Sequence, residues 1–352
     1  MMLLLELVQI GIGKRQSLSS MPKRVDWSSL FNQAQQHGVT AIVLDGINKC
    51  FDKEVALDID FQTKMEWIGV ATQTESLYRY HEKSMRNLSA ILENGGYRMM
   101  VLKGYGLSLN YPVPQHRPSG DLDIWCFGKE KEVDRLMKTN GIEIDSSHHH
   151  HTVFNFNDIT VENHFDFVNI YAIPSSKRIE KRLKELAPDG IMEYDGIALP
   201  SADFNALFLL RHCASHFAAT EMTLRQVLDW GLFMEKKHKA INWEEYLPFI
   251  KREEMFRFYN LLGLFCMRNL GFDASIFHGL YNDSLFERFS QEIISPEFKE
   301  KENGNIIWSL WVKPRRWWHN RWKNKLCYPD SLLSSFIYGL WAKILKPSHF
   351  IQ

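Results

Sequence analysis

The chain has 352 residues, 45% of them hydrophobic, with 42 Lys and Arg against 42 Asp and Glu. This excludes a disordered or strongly charged protein and predicts two or three packed units. No stretch reaches the roughly 18 uncharged apolar residues of a membrane span, which excludes a polytopic membrane protein.

The first 95 residues read as a helical N-terminal region, with Asp26 as N-cap of a helix running towards His37 and a long amphipathic stretch from Phe61 to Leu92. At Gly95-Gly96 the period changes. Residues 96–200 read as a mixed α/β core with strands at Arg98–Leu102, Leu122–Phe127, Thr152–Phe156 and Ile159–Val168. Helical patterns cover Tyr105–Tyr111 and Lys129–Thr139, and Asn155–Ile159 reads as a tight turn joining two antiparallel strands. Residues 201–300 read as a C-terminal helical bundle, in which Ser201 caps a helix reaching Phe217. Leu224–Lys236, Trp243–Lys251 and Met255–Leu270 follow it. The expected fold class is α+β. The five cysteines (Cys50, Cys126, Cys213, Cys266, Cys327) are odd in number and far apart, and the start lacks a secretory-signal pattern. A cytoplasmic chain with reduced thiols is expected.

The residues that point to chemistry are Gly120-Asp121-Leu122-Asp123-Ile124. Strand alternation puts Asp121 and Asp123 on one face, where they can share a hard divalent cation, and turns Leu122 and Ile124 into the core. By itself Asp-x-Asp also suits a solvated edge or a turn cap. Upstream, Val101-Leu102-Lys103-Gly104-Tyr105-Gly106 reads as a strand-to-helix corner whose free N–H groups and Lys103 charge favour an anion. Downstream, Thr160–Asp166 reads as a strand with Glu162, His164 and Asp166 on one face, offering a third carboxylate.

These motifs resemble the nucleotidyltransferase superfamily of the DNA polymerase β type, and more closely its uncharacterised bacterial branch. The resemblance rests on Leu102-Lys103-Gly104, on Tyr111-Pro112-Val113-Pro114-Gln115-His116-Arg117, on Gly120-Asp121-Leu122-Asp123 and on Glu162-Asn163-His164. It implies a mixed sheet flanked by helices. It further implies Asp121, Asp123 and Glu162 as catalytic and metal-holding carboxylates for Mg²⁺ or Mn²⁺, with Lys103, Gly104, Arg117 and Gly120 at the nucleotide. The implied reaction transfers a nucleoside monophosphate from a nucleoside triphosphate such as ATP to an acceptor hydroxyl, releasing pyrophosphate. The chain departs from the superfamily pattern where Lys103-Gly104 replaces the usual Gly-Ser pair. Lys103 then either contacts the triphosphate or forms an ion pair, and a nucleotide-binding or scaffold protein without catalysis is the competing reading.

Other residues carry two readings each. Arg117 suits a phosphate contact or a loop-fixing salt bridge. His148–His151 suits metal or phosphate contacts at a strand end, or a solvated loop. His164 suits a ligand-orienting or a structural role, and Arg211, His212, His216 and Arg225 suit an acceptor pocket or ordinary packing. Residues 301–352 form a tail with nine Lys and Arg, two Asp and Glu and six of the eleven tryptophans. Its stretch 313–346 suits peripheral membrane contact, single-stranded nucleic acid (the less favoured of the two), or packing of the tryptophans on an acidic body.

Overall fold

Six short strands form one mixed sheet in the order β3-β4-β2-β1-β6-β5. They are β1 (Met100–Val101), β2 (Leu122–Trp125), β3 (His151–Phe156), β4 (Ile159–His164), β5 (Met192–Tyr194) and β6 (Ile197–Leu199). Sequence neighbours β1/β2, β3/β4 and β5/β6 pair antiparallel, while β2/β4 and β1/β6 pair parallel. This is the α+β arrangement expected from the sequence. The protein is described here from a computed structural model covering residues 2–20, 24–51, 59–171, 173–188, 192–219, 221–296, 318–331 and 334.

The turn between β3 and β4 places Asn157 and Asp158 at φ of 50° and 54°, the left-handed conformation that two-residue hairpins demand. The β5–β6 hairpin turns likewise on Asp195 and Gly196, at φ of 50° and 77°. It was not among the expected elements, although Asp-Gly between apolar residues is a strong hairpin signal. Strand β4 ends at His164 rather than Val168, because the N–H groups of Phe165 and Asp166 both donate to the His150 carbonyl, at 3.1 and 3.0 Å. Asp166 therefore does not share the face of Glu162 and His164. Its carboxylate pairs instead with Lys184 on α7 (Ser176–Leu186).

Alternation along the sheet separates two hydrophobic cores. Val101, Leu122, Ile124 and Val161 pack in the smaller one, against Val133 and Met137 of α6 (Glu130–Thr139) and Met85, Leu88 and Leu92 of α4 (Phe61–Asn94). Met100, Trp125 and Ala198 point the opposite way into the larger core. That core is built by α1 (Met2–Gly11), α2 (Trp27–Gln36), α3 (Thr40–Phe51), α8 (Ala202–Ala219), α9 (Leu224–Lys237), α10 (Trp243–Arg252), α11 (Phe256–Leu270) and α12 (Phe286–Ile294). Helices before and after the sheet thus share one core. Helix α4, 34 residues long, serves both, since Trp67 and Ala71 near its start belong to the larger one. Side chain Asp123, between Leu122 and Ile124, consequently faces the helical body.

Helix starts follow their caps. Asp26 accepts the Ser29 N–H at 2.9 Å and Ser201 accepts that of Phe204 at 3.2 Å. Helices α1 and α3 cross at glycines: a Cβ on Gly46 would lie 2.1 Å from the Leu7 carbonyl oxygen, and one on Gly11 2.2 Å from that of Ile42. Only glycine permits this approach.

Most of residues 313–346 lie outside the described residues, so the membrane and nucleic-acid readings of that stretch fall there too. Within the described part, α13 (Arg321–Cys327) packs on the body. Trp322 meets Phe217 edge-on at 5.6 Å, and Lys323 is buried with its ammonium 2.6 Å from Glu292. Among the described residues no helix is long and apolar enough to cross a membrane.

The segment Tyr111–Arg117 is pinned from two sides. His116, in the short 3₁₀ turn Pro114–His116, lies 2.7 Å from Asp45 on α3 and 3.1 Å from Glu75 on α4. The hydrogen bond to Asp45 raises its pKa above the ordinary 6.5 against the opposing effect of burial, with Glu75 adding to the rise. The hydrogen bond from His116 lowers that of Glu75 below 4.5. Stabilisation by the raised imidazole is complete below pH 6.5 and lost as pH rises through its folded value; that of Glu75 is present above pH 4.5 and lost as pH falls through its own. His116→Gln is thus expected to destabilise by about 1 kcal/mol, most between those two pH values. Urea unfolding over a pH series checks this, and a deficit that persists unchanged well above neutrality would refute it.

Candidate functional site

Parallel pairing of β2 with β4 puts Asp123 directly beside Glu162, and Trp125 beside His164. Asp123 and His164 are each 3% exposed, whereas Glu162 keeps partial access to solvent. His164 Nε2 lies 3.0 Å from Asp123 Oδ1 and 3.4 Å from Glu162 Oε2, and its Nδ1 lies 3.2 Å from the Asp166 carbonyl oxygen. One ligand atom from each of Asp123, Glu162 and His164 lies within 4.8 Å of the others, a spacing that suits a single cation. Asp121 precedes the strand, is exposed, and lines the same cleft outside that tight group. In that tight group His164 accompanies Asp123 and Glu162, the two carboxylates that the sequence motif places with Asp121.

Lys103 forms the ion pair that was one of its two readings, with Nζ 2.7 Å from Asp123 Oδ1. Burial alone would raise the Asp123 pKa, but the Lys103 charge and the His164 hydrogen bond hold the carboxyl well below the usual carboxylate range. Burial opposes charge on Lys103 too, and is outweighed by Asp123 and then Asp121, so the ammonium is stabilised. His164 is likewise lifted, against burial, to about 9 by its hydrogen bonds to Asp123 and Glu162.

Gly104 adopts φ 58° and ψ −107°, a conformation that favours glycine, and starts α5 (Tyr105–Ser108). This helix has four residues and does not reach Tyr111, so its dipole adds little; the anion-favouring features of the corner are the turn itself and Lys103. Gly104 and Gly120 both line the cleft with Asp121 and Asp123.

The facing wall comes from α8 and α9. His212, His216, Arg225 and Asp229 close a cavity of 180 Å³ against Lys103, Asp121 and Asp123. Burial, with Lys103 adding, pushes His212 well below its ordinary value and His216 to about 4, so both imidazoles are neutral at neutral pH. Their rings meet edge-on at 4.5 Å. Among the described residues the Arg225 guanidinium has no ion pair, which leaves it available to an anion. Arg211, grouped with these residues in the sequence, turns away to Ser176 and the Tyr328 ring.

Arg117 is buried at the cleft edge and bound bidentately to Asp229, through Nε at 2.8 Å and a terminal nitrogen at 3.0 Å. The Tyr111 hydroxyl donates to the same carboxylate at 2.7 Å. This is the loop-fixing salt bridge, holding the segment before β2 against α9. Sequence reasoning missed Asp229 as its partner; the only local hint is an acid among the apolar residues Val227, Leu228 and Trp230.

A mixed sheet with an aspartate and a glutamate adjacent on parallel strands, beside a glycine corner and facing a polar wall that carries Arg225, defines a nucleotidyltransferase-like protein. The chain belongs to the family described as uncharacterised nucleotidyltransferases, whose model matches residues 23–271. No curated protein matches the chain, and no solved structure does.

Proposed function

We propose that the protein transfers a nucleoside monophosphate from a nucleoside triphosphate to a hydroxyl of a small molecule, sugar or protein, with Mg²⁺ or Mn²⁺. The observation that carries this reading is the side-by-side register of Asp123 and Glu162, with Asp123 lining a cleft closed by His212, His216 and Arg225. The donor set fits a divalent ion, because the Asp123 and Glu162 carboxylates bring ligand oxygens within 4.8 Å of each other. Asp123 and Glu162 would hold it, with Asp121 at the open side. When bound, the ion supplies neutralisation of phosphate charge and alignment of the reacting oxygens.

The chain's own residues divide the remaining work. Gly104 and Gly120 let the phosphates approach the backbone, and Lys103 and Arg225 offset their charge. Arg117 acts through Asp229, keeping the strand entry and α9 at a constant separation. Glu162 accepts the proton of the attacking hydroxyl, and the neutral His212 and His216 give the acceptor side a polar wall without added charge.

A nucleotide-binding protein without catalysis is the second reading, favoured by the engagement of Asp123 with both Lys103 and His164. Calorimetric titration with a panel of nucleoside triphosphates and Mg²⁺, followed by pyrophosphate assays on an acceptor panel, separates the two. Metal-dependent binding with pyrophosphate release supports transfer; binding without release supports the second reading, and no binding rejects both. Cytoplasmic residence, and membrane contact through residues 313–346, belong to the same proposal. Liposome co-sedimentation unchanged by deleting residues 313–352 would dismiss the contact.

A further inference from the structure

Beside the carboxylates lies a second group that nucleotide chemistry does not use. Cross-strand pairing sets His151 opposite His164, and the His150 carbonyl is tied to the N–H groups of Phe165 and Asp166. The rings of His150 and His151 lie 4.3 Å apart, with the His164 ring 5.6 and 5.1 Å from them. One nitrogen of each imidazole falls within 4.8 Å of the other two.

Hydrogen bonding does not account for this cluster. His151 is 5% exposed, yet both its ring nitrogens are buried without a hydrogen-bond partner, as is Nδ1 of His150. Glu162 Oε2 approaches His151 Nδ1 only to 3.7 Å. A neutral imidazole always carries one N–H donor and one lone pair, and leaving both in a dry site is unfavourable. His164 already directs Nδ1 to the Asp166 carbonyl oxygen, the outer contact that typically fixes a ligating histidine and presents Nε2 inward.

We propose that His150, His151 and His164 form a binding site for a transition-metal ion of the Zn²⁺ type, with Glu162 at its edge. Three imidazole nitrogens select a borderline ion over Mg²⁺, which prefers oxygen ligands and keeps its water. The ion would clip the loop before β3 to the end of β4 and so brace the strand that carries Glu162. Binding only the folded chain, it would also raise stability by mass action. The run His148–His151 thereby divides: its last two members turn inward to His164, while His148 stacks on the His151 ring at 4.6 Å with Asp145 3.5 Å away, and His149 lies against Tyr171.

The test titrates metal-stripped full-length protein with Zn²⁺ against a competing chelator, follows the thermal midpoint, and uses Co²⁺ absorption to report nitrogen ligation. One ion per chain with a raised midpoint is expected, weakened more than about 100-fold in H150A/H151A and by less than about 10-fold in H148A/H149A and in D121N/D123N. Equal loss in H148A/H149A would show surface chelation by the run and overturn the site. Loss in D121N/D123N with retention in H150A/H151A would place the ion among the carboxylates and overturn it too, as would no binding at all. Mg²⁺-dependent nucleotide binding, measured on the same proteins, tests the transferase reading separately and is expected to survive in H150A/H151A.

Discussion

Asp123→Asn is expected to lower nucleotidyl transfer by about 10²–10³-fold, the scale on which removing one preorganised electrostatic group acts. The amide keeps the shape of the carboxylate but loses its charge and the ability to accept at both oxygens, so cation affinity falls with it. Because Lys103 Nζ sits 2.7 Å from Asp123, the substitution also strips a largely buried ammonium of its counter-charge. Stability is therefore expected to fall as well, and an activity loss in this variant alone is ambiguous. Glu162→Gln separates the two effects. Glu162 is partly open to solvent, and among the described residues its carboxylate pairs with His151 and His164 alone, so its amide variant should fold normally and still lose transfer to a similar degree. Single-turnover pyrophosphate release, with circular dichroism and urea unfolding on both variants, makes the comparison. Retained transfer in Glu162→Gln would sink the assignment of this cleft as the reaction site.

Arg117→Ala should produce the largest stability loss, about 3–5 kcal/mol, because it leaves Asp229 charged and buried without its guanidinium. Arg117 and Asp229 are 6% and 7% exposed, and the bidentate contact leaves little room for water to replace the lost donors. Burial, with the Asp229 charge adding, pushes the Tyr111 hydroxyl well above its ordinary pKa, so it donates to Asp229 without neutralising it. Arg117→Lys should fall between, keeping a charge but not the paired geometry. A double replacement, Arg117→Met with Asp229→Leu, should recover much of the loss by removing both charges. Urea unfolding of the set reads these differences, and a loss below about 1 kcal/mol for Arg117→Ala would mean that the pair is not desolvated.

Several parts of the molecule were legible because they are set by neighbours in sequence. The caps at Asp26 and Ser201 and the turn at Asn157-Asp158 depend on side chains and backbone conformations within a few residues. Alternation through β2 likewise sent Leu122 and Ile124 to one core and Asp123 to the other face. The metal-capable cluster was legible in part. Asp123 and Glu162 are plain as residue types, but Asp-x-Asp alone cannot say which aspartate lies beside the glutamate.

Strand register and long-range pairing decided the rest. The β2–β4 register sets Asp123 rather than Asp121 against Glu162, and a shift of one residue would send each strand's side chains to the opposite faces. Strand termination at His164 withdrew Asp166, and the β3–β4 register brought His151 to the same end. The choice of Lys103 for Asp123, and of Arg117 for Asp229 across 112 residues of chain, depends on which buried charges the packed helices bring together. By itself the sequence determined periodicity, capping and the stock of chemical groups, since these are local. Only the tertiary structure decided which groups meet, because desolvation and pairing act between segments that the chain holds far apart until it folds.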